Sequence, residues 1–263
     1  MASSNTQTIA FFGATGDCAG YCLAAALKAG YDCIALARTP AKLIASQNAK
    51  GVSPQALDSH LTIIEGNVKD VAAVKRTLVC NDKMVDHIVS GIGGTPALQW
   101  SYRRPVTLTD TTICQDAGRV ILQGATEVSR ETKALKKPGF INISTTGISP
   151  PEVPRDIPFL YIPFYRWALH VPHVDKAVLE EQLREYVQLP ENEKGLSGFV
   201  NVKPSLLMDG QGRGLQAIRA GPDEKPAVGY TIQRKDVGDF MFERLVKGEV
   251  PSEWRNKSVS IAY

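Results

Sequence analysis

Short, uninterrupted apolar runs alternate with longer stretches of helical periodicity along most of the chain. The run Ile9, Ala10, Phe11 and Phe12 and the run Cys33, Ile34, Ala35 and Leu36 have no polar face, as expected of strands covered on both sides. Between them Ala19, Gly20, Ala24, Ala25, Ala26 and Leu27 supply a helix of small side chains that closes at Gly30. Further strands are predicted over 61–64, 87–89, 140–143, 199–202, 228–232 and 258–261. Helices are predicted over 40–47, over 70–79 with Val71, Val74 and Leu78 on one face, and from Asp110 onward through Ile113, Val120, Ile121 and Leu122. Two more are predicted from Asp175 through Tyr186 and over 236–247, the last with Phe240, Met241 and Leu245 facing inward. Residues 48–59 read as a polar loop. This alternation predicts one α/β domain over 1–263, a right-handed, doubly wound parallel sheet of six to seven strands. The pattern breaks at 147–174, rich in proline and aromatic residues, and again at 205–230. Both are expected as loops on the substrate side, the first either as a wall for a flat substrate or as a hydrophobic plug or dimer surface.

The polar and glycine positions fall where the strands end. Gly13, Ala14, Thr15 and Gly16 stop the first strand and open the first helix. Glycines there let an anion approach the backbone, and a helix N-terminus offers unpaired N–H groups. Gly13, Thr15, Gly16, Asp17 and Cys18 are therefore candidate pyrophosphate contacts. Arg38 and Lys42 follow the second strand, with no acid nearby to accept from ribose hydroxyls. A cation there suits a 2′-phosphate, so NADP(H) is the predicted cofactor; the alternative is a solvated strand end with two surface cations. Asn67 and Val68 end the third strand, either flanking an adenine or belonging to an ordinary helix cap by Asn67 or Asp70. Ser90, Gly91, Ile92, Gly93 and Gly94 form a second glycine-rich turn at the same edge, suited to a ribose or pyrophosphate. Residues 95–108, with Trp100, Tyr102, Arg103 and Arg104, are expected as a loop at the mouth of the crevice. The fifth strand ends in Ser144, Thr145 and Thr146, and Pro204 and Ser205 leave the sheet at the same end.

Composition narrows the class. With 263 residues, 43% hydrophobic, and a net charge of +3 without a basic stripe, the chain suits a large core and a small-molecule partner, not nucleic acid. The polar, uncharged start over 1–7 lacks the pattern of a signal peptide, and no apolar run reaches membrane length. The expectation is a soluble, cytoplasmic monomer or homodimer. Five cysteines, Cys18, Cys22, Cys33, Cys80 and Cys114, are odd in number and without metal spacing, so reduced thiols are expected. His170 and His173 have only Asp175 nearby, and no metal is expected.

The segments GATGDCAG, ALARTPAKL, EGNVKD, INIST, VKPSLL and TIQRKDVGDF, with the lysine helix at Lys176, together resemble the NmrA-like group of atypical short-chain dehydrogenases/reductases, fungal NAD(P)-binding Rossmann proteins. The resemblance covers nearly the whole chain. It implies NADP(H) across the sheet, held also by Ser144, Lys176, Pro204 and Ser205, with a small organic substrate over the nicotinamide. It also implies a Ser, Tyr and Lys constellation, the Tyr four residues before the Lys. Lys176 matches the Lys and Thr145 the Ser, but the Tyr position is Pro172, which can neither donate nor accept a proton. Tyr161, Tyr165, His170 and His173 are the candidates to replace it, with packing the competing role for each; Lys176 has its own alternative as a surface lysine beside Asp175. The expected function is NADPH-dependent reduction of an imine, iminium or carbonyl of a polycyclic secondary metabolite of alkaloid type. A redox-coupled cyclase on the same scaffold and a non-catalytic NADP(H)-binding redox sensor are the alternatives.

Overall fold

The computed structural model describes residues 7–94, 96–98 and 106–263. Trp100, Tyr102, Arg103 and Arg104, and the chain start over 1–6, lie outside the described residues.

The apolar runs become strands because both faces of each are covered. β1 (Thr8–Phe12), β2 (Asp32–Ala37), β3 (Leu61–Glu65), β4 (His87–Ser90), β5 (Gly139–Ile143) and β6 (Gly198–Pro204) pair in parallel, joined by β7 (Arg219–Pro222) and β8 (Lys257–Ala262). The spatial order is β7-β8-β6-β5-β4-β1-β2-β3. Strand order reverses between β1 and β4, and in open α/β sheets that switch point is where ligands bind.

Successive residues of a strand feed opposite layers. Ile9 and Phe11 join one core with Leu23, Val237 and Phe240, whereas Ala10 and Phe12 join the other with Ile121, Phe140, Leu179 and Leu183. The first layer holds α1 (Asp17–Lys28) and α8 (Arg234–Phe240); the second holds α4 (Val71–Thr77), α5 (Ile113–Glu131) and α7 (His170–Val187). Phe11 and Phe12 are wholly buried, each contributing about 1.5–3 kcal/mol by transfer out of water.

Several expectations change. The sheet has eight strands, not six or seven, because Arg219–Pro222 adds an antiparallel edge to β8 with Gly221 opposite Ser260. A fully parallel sheet was expected, but an edge strand needs only one neighbour to bond. The loop at 48–59 contains α3 (Pro54–His60), begun by Ser53, whose hydroxyl accepts from Ala56 N at 3.1 Å, with Pro54 in the first turn. α2 runs over Pro40–Ala49. The loop at 95–108 contains an antiparallel pair, Pro96–Leu98 with Val106–Leu108. The stretch 147–174 carries a 3₁₀ turn at Phe159–Tyr161 and α6 (Ile162–Ala168), and α7 begins at His170, five residues before the expected start. Within 205–230 lies a strand, Leu206–Met208, paired with Thr231–Gln233. The helix expected over 236–247 is α8 followed by a π-helical stretch, Met241–Val246.

Candidate functional site

The site lies along the carboxyl edge of the sheet. Gly13 adopts φ +76°, a left-handed conformation that a side chain would strain, and a Cβ there would stand 2.8 Å from the Gly91 carbonyl carbon. The two glycine turns thus touch backbone to backbone at the switch point. α1 starts at Gly16 without a side-chain cap, so its first-turn amides open toward the crevice. A Cβ at Gly93 would meet nothing within 4 Å and would project into open space.

Two joined cavities share Gly16, Gly91, Ile92 and Gly93. The outer one, of about 420 Å³, is lined by Gly13, Thr15, Arg38, Asn67, Val68 and Asp110 among others. Asn67 Oδ1 accepts from Lys69 N at 3.0 Å, and Asp70 caps α4 through Ala72 N at 2.9 Å, so cap chemistry and cavity lining coexist here. Lys69 reaches across to Asp110 at 2.8 Å and Asp116 at 3.0 Å, which leaves Arg38 as the cation without an acid in this cavity among the described residues. Lys42 is exposed on α2 and does not line it.

The inner cavity, of about 360 Å³, is lined by Cys18, Thr145, Tyr165, Pro172, His173 and Lys176, and by Pro204, Ser205 and Arg234. Asp17 enters it beside α1, its carboxylate 3.5 Å from Lys50. Burial pushes the Cys18 thiol up to about 12, so it stays protonated. Lys176 is no surface lysine: its ammonium donates to Ile143 O at 2.6 Å and Ile92 O at 3.3 Å, bridging the ends of β5 and the second glycine turn. Asp175 points elsewhere, accepting from Cys114 N at 2.8 Å and Gln115 N at 3.0 Å at the start of α5. Thr145 donates to Thr146 O at 3.2 Å. Ser144 also lines this cavity, with its hydroxyl donating to the buried Glu180 at 2.5 Å. Ser90 is buried in β4 and lines neither cavity.

Tyr165 and His173 wall the inner cavity on the substrate side, with ring centroids 5.4 Å apart. Burial raises the Tyr165 pKa, although the Thr146 hydroxyl at 3.5 Å opposes it. Burial also pushes His173 down to about 4, against the attraction of Asp156. Tyr161 stacks on Tyr165 at 6.0 Å and meets Tyr230 edge-on at 5.2 Å. His170 lies beyond His173, in an annex described below.

One functional element has no counterpart in the sequence reading. Lys203, at the end of β6, is fully buried and pairs with Asp156 at 2.7 Å and Asp223 at 3.4 Å, also donating to the Ser149 hydroxyl at 2.5 Å. Asp156 in turn accepts from Gly147 N and from the Ser149 hydroxyl, each at 2.9 Å. A charged residue inside a buried strand, FVNVKP, was the available signal; a buried cation requires a buried acid.

These features fit a dinucleotide. The uncapped helix N-terminus, the space at Gly93, and Ser205, whose hydroxyl is buried without a partner among the described residues, supply donors and room along one continuous crevice. The sequence pattern of the NAD(P)H-binding family matches residues 13–247. The chain belongs to that family. It is similar to the reductase pytE of Aspergillus terreus, with 48% identity covering 99% of this chain and 100% of that protein. It is also similar to the oxidase pynE of Aspergillus niger, with 34% identity over 91% and 92% of the two. Among solved structures, the anaerobillin reductase ChuY of Escherichia coli O157:H7 shares the fold, with a TM-score of 0.63 at 17% identity, covering 98% and 97%. The chain is thus an NAD(P)H-dependent oxidoreductase of the atypical short-chain dehydrogenase/reductase kind. Among the described residues no helix is long and apolar enough to cross a membrane.

Proposed function

We propose that the protein uses NADPH to reduce an imine or iminium, or a carbonyl, of a polycyclic secondary metabolite, with the charged C=N bond as the preferred substrate group. The observation that carries this reading is Pro172: it lies one helical turn before Lys176 on α7 and lines the same cavity, where the resemblance leads one to expect a tyrosine acid. The relatives' names, a reductase and an oxidase, support hydride chemistry.

Arg38 would meet the 2′-phosphate, the amides at the start of α1 the pyrophosphate, Asn67 and Val68 the adenine, and the Gly91–Gly93 turn with Lys176 the nicotinamide ribose. The bound nucleotide supplies a hydride. An ammonium has three donors; two on Lys176 are spent on Ile143 O and Ile92 O, and the third remains for a ribose hydroxyl.

The proton inventory of the inner cavity favours the C=N substrate. A carbonyl becomes an alkoxide on reduction and needs an acid; an iminium becomes a neutral amine and needs none. Tyr165 is made a weaker acid by burial, and His173, held at about 4, is protonated to only roughly one part in a thousand at pH 7. Thr145, whose proton is directed to Thr146 O, presents lone pairs that suit an iminium N–H and do not help a carbonyl oxygen.

The test is a panel of cyclic imines and enones with NADPH deuterated at the transferable position, run beside NADH and repeated with Arg38→Ala. Deuterium should appear in the amine product, and NADPH should be preferred about tenfold to a hundredfold, a preference lost without Arg38. Product without deuterium, formed as well with NADP⁺, would replace this reading by a non-redox cyclase. Equal use of both nucleotides by the unaltered protein ends the NADPH assignment.

A further inference from the structure

Tyr165 and His173 line, on their other side, an annex of about 390 Å³ that adjoins the inner cavity. Much of its wall is apolar, from Pro150, Val153, Ile157 and Ile162, but three nitrogen-bearing side chains line it, His173 at the shared wall and, farther out, Arg155 and His170. Arg155 sits between Pro154 and the buried pair Asp156 and Ile157, so its backbone is anchored while its side chain is exposed. Its guanidinium lies 5.8 Å over the Phe159 ring and makes no ion pair or hydrogen bond among the described residues.

The annex also contains one acid, Asp156, and this acid is already engaged. Its Oδ1 accepts from Gly147 N at 2.9 Å; its Oδ2 takes the Lys203 ammonium at 2.7 Å and the Ser149 hydroxyl at 2.9 Å. Its charge is thus matched by Lys203, and it forms no ion pair with Arg155 among the described residues. An arginine fork of five donors without an acid, in a largely apolar compartment that shares the Tyr165 and His173 wall with the inner cavity, suits a planar oxyanion.

We infer that the annex is a substrate subsite that takes a carboxylate or comparable delocalised oxyanion, bound by Arg155 with His170 alongside, while the reducible bond lies in the inner cavity. This deepens the proposed reductase function and rests on it. The substrate class becomes an acid-bearing imine or carbonyl compound. For an iminium the two charges then separate, the cation at Thr145 and the anion at Arg155.

The subsite is tested on the NADPH-loaded protein by calorimetric titration with indole-3-propionate and its neutral amide, indole-3-propionamide. The acid should bind about tenfold to a hundredfold more tightly, as expected of a charge-assisted pair. Arg155→Ala should erase that preference and leave both amide and NADPH affinity unchanged, since Arg155 lines neither cavity of the cofactor crevice; Arg155→Lys should restore only part of it. Equal binding of the two probes, a preference that survives Arg155→Ala, or no binding of the acid at millimolar concentration overturns the subsite while NADPH binding and turnover of neutral imines still stand. Failure of NADPH itself to bind removes the reductase reading and the subsite with it.

Discussion

Lys203→Met should be among the most damaging single substitutions in this protein. Lys203 is fully buried, and its removal leaves the buried Asp156, 2% exposed, and the half-buried Asp223 without their cation. Deleting one partner of a buried pair costs about 3–5 kcal/mol, against total stabilities of about 5–15 kcal/mol for a typical domain. Asp156→Asn is expected to be milder, about 1–3 kcal/mol, because the amide oxygen still accepts from Gly147 N and Lys203 keeps Asp223 at 3.4 Å. Burial works against the charged Lys203, but Asp156, Glu180 and Asp223 outweigh it and its pKa is raised. A raised folded pKa means the contribution is complete below the unfolded value of about 10.4 and is lost only as pH rises beyond it. Urea unfolding at pH 7, with the slope checked for constancy, gives both differences directly. A Lys203→Met midpoint within about 1 kcal/mol of the parent, or a larger loss for Asp156→Asn than for Lys203→Met, would show that this cluster does not hold the 147–157 segment to β6.

Lys176→Met should lower kcat/KM about tenfold to a hundredfold through loss of one charged hydrogen bond to the nucleotide, with a stability loss near 1 kcal/mol from the two carbonyls it leaves. Unchanged kinetics would place the reactive centre elsewhere. For His173 the folded pKa of about 4 lies below the ordinary 6.5, so the unfolded chain takes up a proton first as pH falls. Stability should decline from pH 6.5 toward pH 4 by about 3 kcal/mol in total, and His173→Gln should flatten that part of the profile. A parent profile that is already flat over this range would contradict the burial of a neutral imidazole.

The opening βαβ unit was legible because its determinants are local. A strand covered on both faces has no polar positions, a turn that must approach another backbone uses glycine, and β1 and Gly13 meet these two needs within a few residues. The elements that were missed depend on context. Pro54, Pro163 and Pro172 read as loop signals, yet each lies in the first turn of a helix, where the missing N–H has no acceptor to lose. The edge strand Arg219–Pro222 has no apolar run and owes its form to the open side of Lys257–Ala262. The Lys203 cluster joins positions 47 and 20 residues apart, a distance over which no periodicity speaks.

Pro172 explains how this chain can lose a tyrosine without losing the site. A proline deeper in α7 would break the helix and displace Lys176, but at its third residue the ring costs no backbone hydrogen bond. One turn later Lys176 is pinned by Ile143 O and Ile92 O, contacts that owe nothing to residue 172. The cofactor side of the crevice is therefore independent of the proton-donor side, and the donor can vanish while the nucleotide geometry remains. What changes is the chemistry tolerated above it. On the proposed reading, with Tyr165 weakened by burial, His173 neutral, and Thr145 presenting an acceptor, the inner cavity would stabilise a positive charge that disappears on reduction better than a negative charge that appears. Selection between C=N and C=O would then follow from the protons the proposed site lacks.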